Sequence, residues 1–157
     1  MNYANTDNEI DLISIIRCAF PCEQAAKSPT SLGPLVLAYI GDTVYDLYVR
    51  TMLVDKTTLT AHGLHVRAAK LVCAKAQAEA FHRIEPLLTE EELAVFRRGR
   101  NAHMGTVPKN ATIIDYRHAT GLEAVLGWLY LSGRDERICE LMRSALMCDS
   151  APETVPE

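Results

Sequence analysis

The sequence predicts an all-α fold, and three observations lead to this prediction. Two long segments, residues 32–50 and 113–131, carry apolar side chains at helical spacing on nearly every side, which is typical of buried helices. Thr89 and Glu92 stand in the spacing of a capping box, the pattern that starts a helix. No segment alternates apolar and polar residues in the manner of a half-buried strand. We therefore expect a bundle of roughly six helices.

The N-terminal part of the chain predicts a loose polar start, a short helix and a linker. Residues 1–8 are polar, and residues 10–20 carry a short helical pattern that stops before Pro21. Residues 27–34 are rich in Ser, Thr, Pro and Gly, as expected of a linker. Pro34 suits the first turn of the next helix, where a missing N–H costs no hydrogen bond.

Caps and breakers predict the later elements. Residues 55–60 predict a turn, and Thr60 is a candidate N-cap for a single helix that ends near residue 84. Residues 102–111 have no apolar period and contain Gly, Pro and Asn, so we expect a loop there. A last helix is expected over residues 135–147. Its inward-facing residues are Ile138, Leu141, Met142 and Ala145.

An acidic residue lies in the middle of each apolar segment, Asp42 in the first and Glu123 in the second. An ionised carboxylate in apolar surroundings is costly unless it is paired, hydrogen-bonded or bound to a metal. Taken alone, Asp42 is equally well explained by a hydrogen bond to a neighbouring backbone group. Two such acids that converge in one core need a counter-charge, and Mg²⁺ prefers oxygen ligands of this kind. Asp42 and Glu123 are therefore our candidate catalytic residues and metal ligands.

The charge of the chain is unevenly distributed. The net charge is −4, yet residues 97–118 contain five Arg and Lys residues and one acid. A basic segment on an acidic protein is the pattern of a localised nucleic-acid contact, although the exposed helix end of an unrelated protein can be equally basic. The candidate contacts are Arg97, Arg98, Arg100, Asn101 and Lys109. A second basic stripe, formed by Arg67, Lys70 and Lys75, is more typical of a solvated helix face.

Cysteine usage and the N-terminus predict the cellular environment. The sequence has five cysteines, no pattern of a secretory signal and no apolar run long enough to cross a bilayer. We therefore expect a cytoplasmic protein with reduced thiols and no membrane partner. Cys18 and Cys22 have the spacing of metal ligands, but no second pair accompanies them, so we expect no zinc site. His62 and His65 are expected at the surface.

Three blocks of the sequence together carry a family resemblance. The blocks are residues 37–50, 98–102 and 120–124. In this order they resemble Mini-ribonuclease III, the short branch of the ribonuclease III family that has no separate double-stranded-RNA-binding domain. The resemblance covers residues 31–148, which we interpret as the catalytic domain. Residues 1–30 are then an N-terminal extension with a short helix, and residues 149–157 a disordered tail.

The resemblance assigns Asp42 and Glu123 to the active site. The family's other acids fall on Leu35, Ala38 and Thr120 in this sequence, so two of the family's acids are present. The number of metal ions therefore stays open. The two acids could hold one Mg²⁺ with waters completing its shell, or a second ion could arrive with the RNA phosphate.

The resemblance also implies a homodimer with the fold of a ribonuclease III endonuclease domain. Tyr39 matches a family Phe whose ring inserts into the partner subunit, although packing in the core of its own chain explains an aromatic ring equally well. Asp46 lies one helical turn after Asp42 and one turn before Arg50. An Asp–Arg pair at this spacing is an ordinary helix ion pair, which we favour over a metal ligand.

The activity that the resemblance implies is Mg²⁺-dependent hydrolysis of double-stranded RNA. It also implies 5′-phosphate and 3′-hydroxyl products, one strand cut by each site of the dimer, and maturation of the large-subunit ribosomal RNA precursor in a bacterium. The basic residues suit A-form RNA, which proteins recognise by its shape, phosphates and 2′-hydroxyls.

Two other classes of function stay open. One is a non-catalytic RNA-binding or ribosome-assembly module on the same helical dimer, and the presence of Asp42 and Glu123 argues against it. The other is a helical metal phosphohydrolase acting on nucleotides, for which the sequence lacks a histidine ligand motif.

Overall fold

The computed structural model describes residues 11–21, 25–103, 105–106, 109 and 111–147, and within these residues the fold is all-α, as predicted. Two short 3₁₀ turns, Pro29–Ser31 and Glu85–Leu87, supplement the α-helices. The predicted loose N-terminus and disordered tail lie outside the described residues. The helices are α1 Leu12–Ala19, α2 Pro34–Lys56, α3 Ala61–Val72, α4 Ala74–Ile84, α5 Glu90–Arg100, α6 Ile113–Leu131 and α7 Asp135–Leu146.

Helix α6 is the centre of the bundle and packs against α2, α4 and α5. Its residues are buried from Ala119 to Tyr130 with the exception of Glu123, which is partly buried. Apolar side chains on every side of α6 are therefore explained by neighbours on every side. Each fully buried Leu, Phe or Met side chain stabilises the fold by about 1.5–3 kcal/mol relative to an exposed one.

Glycines let α2 and α6 cross with their backbones in direct contact. A methyl group at Gly41 would overlap the carbonyl oxygen of Glu123, and one at Gly127 would overlap the carbonyl oxygen of Leu37. A larger residue at either position would separate the helices. The crossing therefore depends on Gly41 and Gly127, and it lies directly beside the two predicted acids.

The caps form as predicted. Thr60 accepts a hydrogen bond from the Gly63 N–H at the start of α3. Thr89 and Glu92 make both bonds of a capping box at the start of α5. The four residues predicted to face inward on α7 are all buried. Among the described residues, no helix combines the length and apolar character needed to cross a membrane.

Two of the predicted helix boundaries are wrong. Helix α2 continues to Lys56, so the turn begins at Thr57 rather than at residue 55. The single helix expected between Thr60 and residue 84 is two helices, because Cys73 adopts an extended conformation with φ −68° and ψ 156°. This break between α3 and α4 redirects the chain without a Gly or Pro to mark it.

The prediction that α2 is buried on every side is also wrong for the single chain. One face, which includes Leu37, Tyr45 and Val49, is fully buried against the bundle. The opposite face exposes Val36, Tyr39, Leu47 and Val54, among others. Helical periodicity shows that a face is apolar, but it does not show whether the same chain covers it.

Candidate functional site

The crossing of α2 and α6 brings the two predicted acids together. Asp42 follows Gly41, and Gly41 rests on the backbone of Glu123. Both carboxylates line a cavity of about 420 Å³ and an adjoining cavity of about 340 Å³. The expectation of a buried Asp42 is wrong, since Asp42 is exposed to solvent, while Glu123 is partly buried. The cost of removing a charge from water therefore falls mainly on Glu123.

The electrostatics of the pair favour a proton or a cation. The pKa of Glu123 is raised to about 8, chiefly by burial and in addition by the negative charge of Asp42 and its hydrogen-bonding contact. A hydrogen bond from Gln77 acts in the opposite direction because it favours the ionised form. Without a counter-charge, Glu123 therefore holds a proton at neutral pH.

The donor set fits a hard divalent cation. Within the described residues, no group of three or more His, Cys, Asp and Glu side chains could hold a metal ion. An ion at this site would therefore take Asp42 and Glu123 as its protein ligands of this type and complete its shell with other oxygens. Mg²⁺ commonly binds in this way, through one or two carboxylates together with water and substrate phosphate.

The walls of the two cavities include residues that the sequence pattern does not connect with the acids. The larger cavity is also lined by Tyr39, His103 and Tyr116. The smaller one is lined by Cys73, Lys75, Gln77, Tyr116 and Thr120 on α4 and α6 or at their ends. The sequence favours a solvated face for Lys75, and this residue is exposed, yet it also borders the site.

The predicted nucleic-acid contacts lie at the end of α5 and beyond it, and we call Arg97, Arg98, Arg100, Asn101 and Lys109 the basic patch. All five are exposed except Arg100, which is partly buried. Arg98 donates one hydrogen bond to the Leu32 carbonyl oxygen at 3.1 Å. Arg100 donates one to Asn101 Oδ1 at 3.1 Å and lies over the Phe96 ring. Because a guanidinium has five N–H donors, both arginines keep donors for a ligand.

The two histidines that flank the predicted loop have different surroundings. His103 is exposed and lines the larger cavity. His118 is partly buried beside the stacked rings of Phe81 and Phe96. Its Nδ1 lies 2.8 Å from the Ile114 carbonyl oxygen, so Nδ1 is the protonated donor there. Of the two, His103 is placed to contact a ligand.

Tyr39 is 81% exposed, which excludes packing in the core of its own chain. It shares the exposed face of α2 with Val36 and Leu47 and also borders the larger cavity. The predicted ion pair on the same helix is present, with Arg50 Nε donating to Asp46 Oδ2 at 2.7 Å.

Three of the cysteines and the histidines of α3 lie at the surface of the structure. Cys18, Cys73 and Cys139 are exposed free thiols. Cys22 and Cys148 lie outside the described residues. His62 and His65 are exposed, as predicted.

Comparisons with known proteins match most of the chain. A family model described as "Ribonuclease III domain" matches residues 35–134. The Mini-ribonuclease 3 of Brevibacillus brevis is 49% identical over 123 residues, which cover 78% of this chain and 92% of that protein. The Mini-ribonuclease 3 of a Thermoanaerobacter species is 51% identical over 112 residues, which cover 71% of this chain and 79% of that protein.

A solved structure has a similar fold. The crystal structure of a Fusobacterium nucleatum protein aligns with a TM-score of 0.72 and 27% sequence identity, covering 79% of this chain and 99% of that chain. The domain model spans more than half of the chain, and the curated relatives are matched over most of their own length. The chain therefore belongs to the ribonuclease III family, in its Mini-ribonuclease 3 branch.

Proposed function

We propose that this protein is an endoribonuclease that cleaves double-stranded RNA by Mg²⁺-dependent hydrolysis of phosphodiester bonds. The observation that carries the proposal is the pair of carboxylates, Asp42 and Glu123, which face shared cavities at the α2–α6 crossing. The names of relatives at 49% and 51% identity support a ribonuclease. Residues 31–148 form the proposed catalytic domain.

Asp42 and Glu123 are the residues that would hold Mg²⁺. Two carboxylates are sufficient to bind at least one ion. The ion supplies positive charge that activates water for attack and neutralises the charge that develops on the phosphate. Asp42 is open to solvent and can meet an incoming ion directly. Glu123 would bind the ion after it loses the proton that burial and the charge of Asp42 favour.

The basic patch supplies the contacts to the RNA backbone in this proposal. Its three arginines lie in the last turn of α5, close in sequence to His103, which borders the larger cavity. Arginine and lysine side chains neutralise phosphates, which accounts for duplex binding by charge and shape rather than by sequence. The patch therefore orients the duplex, and the two carboxylates mark the bond that is cut.

The active form is proposed to be a homodimer joined through the exposed face of α2. Val36, Tyr39 and Leu47 present apolar surface to solvent along one side of that helix. A second copy related by a two-fold axis would cover this face and place two sites on opposite strands of one duplex. Tyr39 is the residue proposed to cross the interface.

The proposed biological role is maturation of the large-subunit ribosomal RNA precursor in the cytoplasm. This part of the proposal rests on the family resemblance and on the reduced cysteines that the sequence predicts. The products are expected to carry 5′-phosphate and 3′-hydroxyl ends.

A labelled RNA duplex and its isolated single strands, each incubated with the protein in Mg²⁺ or in excess chelator, provide the test. We expect cleavage of the duplex alone, and only with Mg²⁺. Tight duplex binding without cleavage would instead support the non-catalytic RNA-binding module. Equal cleavage of single strands would contradict the proposed specificity.

A further inference from the structure

Gln77 is a buried side chain beside the two acids, and the break between α3 and α4 places it there. Its side chain is 2% exposed. Cys73 caps the new helix, and the Gln77 N–H donates to the Cys73 carbonyl oxygen at 3.0 Å in the first turn of α4. In an uninterrupted helix, the Gln77 side chain would point in a different direction. The break therefore gives the site a polar residue that the sequence pattern does not reveal.

The orientation of the Gln77 amide is fixed by two acceptors. Nε2 lies 3.1 Å from the Val72 carbonyl oxygen and 3.0 Å from Glu123 Oε1. A backbone carbonyl can only accept, so the atom facing it must be the NH₂ group of the amide. The same NH₂ group therefore donates to Glu123 and ties its carboxylate to the end of α3.

This orientation leaves the other end of the amide unsatisfied. Gln77 Oε1 is buried and accepts no hydrogen bond within the part of the chain that the structure describes. A buried acceptor without a donor is destabilising, because it has lost its hydrogen bonds to water. The fold thus keeps the two hydrogen bonds that Nε2 donates and leaves Oε1 without a donor. This arrangement is expected if the function of the amide is to hold Glu123.

We propose that Gln77 is a positioning residue, which anchors the Glu123 carboxylate in the cavity it shares with Asp42 and so prepares it to bind a divalent cation. The inference rests on the proposed function, because it assumes that the two acids hold the metal. Partners that hydrogen-bond a metal-binding carboxylate typically change metal affinity or activity by about 10–100-fold when they are removed. Gln77→Met removes both hydrogen-bonding groups and keeps the length of the side chain.

The first test measures binding of Mn²⁺ alone, from the electron paramagnetic resonance signal of the free ion. We expect the dissociation constant of Gln77→Met to rise by about 10–100-fold, while the metal-free variant still unfolds in one cooperative urea transition. The matched control is Glu79→Leu, an exposed position on the same helix, which should bind Mn²⁺ as wild type does. Duplex cleavage by Gln77→Met should be slow at low Mg²⁺ and recover as Mg²⁺ saturates.

The second test uses the metal-free wild-type protein and does not depend on whether any variant folds. The sequence contains two glutamines, Gln24 and Gln77, so selective ¹⁵N labelling gives two side-chain amide signals. A Gln24→Ala variant assigns the signal of Gln77. We expect the Gln77 NH₂ protons to exchange slowly with solvent, and to lose that protection in Glu123→Ala.

The outcomes separate the inference from the proposed function. Fast exchange of the Gln77 amide in the wild type overturns the inference, whatever the protein does to RNA. Wild-type cleavage of duplexes together with an unchanged Mn²⁺ affinity in Gln77→Met overturns the inference and leaves the proposed function standing. A wild-type protein that binds no Mn²⁺ and cleaves no duplex overturns both.

Discussion

The raised pKa of Glu123 predicts that the metal-free protein becomes less stable as the pH rises. In the unfolded chain this carboxyl loses its proton near its ordinary pKa of 4.5, whereas in the folded protein the pKa is raised to about 8. Between these values the folded state binds the extra proton, so unfolding releases it. The free energy of unfolding should therefore be highest below pH 4.5, and it should decrease until the pH has risen past about 8.

The size of this effect follows from the shift. A carboxyl whose pKa rises from 4.5 to about 8 is linked to ~5 kcal/mol of unfolding free energy, at ~1.4 kcal/mol for each pKa unit. Asp42 is exposed, so water weakens the repulsion that its charge exerts on Glu123. We expect a decrease of ~2–3 kcal/mol between pH ~5.5 and pH ~8.5. Glu92 does not interfere in this pH interval. Arg137 lowers the pKa of Glu92, so Glu92 affects stability only at more acidic pH.

Urea unfolding in excess chelator at both pH values provides the measurement. The matched control is Glu123→Gln, which keeps the shape and the possible hydrogen bonds but cannot ionise. This variant should show a much weaker pH dependence and should exceed wild type in stability at the higher pH. Added Mg²⁺ should stabilise wild type at that pH and leave Glu123→Gln unchanged. Equal pH profiles for the two proteins would refute the electrostatic account of the site.

Three further predictions concern the RNA surface, the dimer and the helix crossing. Alanine at the four charged residues of the basic patch should weaken duplex binding. The slope of the logarithm of the binding constant against the logarithm of the salt concentration should decrease in magnitude by roughly one for each phosphate that is no longer neutralised. An unchanged slope would indicate that the RNA binds instead at Arg67, Lys70 and Lys75. Tyr39→Asp buries two charges at the proposed two-fold axis and should cost the dimer at least ~3 kcal/mol, so sedimentation should show a folded monomer without double-strand cleavage. A fully dimeric, active variant would exclude the interface. Gly127→Ala should separate α2 from α6 and lower stability by ~2 kcal/mol or more, and wild-type stability in thermal unfolding would contradict the proposed backbone contact.

The sequence alone can predict those parts of the molecule that local chemistry determines. The bounds of α6 are those expected from its apolar period, and the caps at Thr60 and Thr89 form where the pattern places them. The convergence of Asp42 and Glu123 is also predictable, because each is an acid in the middle of an apolar segment. Two such helices can bury their apolar surface only against each other or against the rest of the core.

The parts that are not predictable depend on contacts between elements. The exposure of Asp42 and Tyr39 depends on which face of α2 the chain itself covers, and periodicity does not contain this information. The break at Cys73 is flanked by Val, Ala and Lys, none of which marks a helix end. Gln77 escapes prediction for the same reason, since its contact with Glu123 joins residues 46 positions apart.

The central claim is that Asp42 and Glu123 form one metal-dependent catalytic unit. The most direct test is single-turnover cleavage of an RNA duplex by Asp42→Asn at saturating Mg²⁺, with circular dichroism to confirm that the variant is folded. We predict that the rate falls by at least ~100-fold, that it falls similarly for Glu123→Gln, and that the double variant is little slower, because the two residues act together. Cleavage by Asp42→Asn at a rate close to wild type would contradict the account.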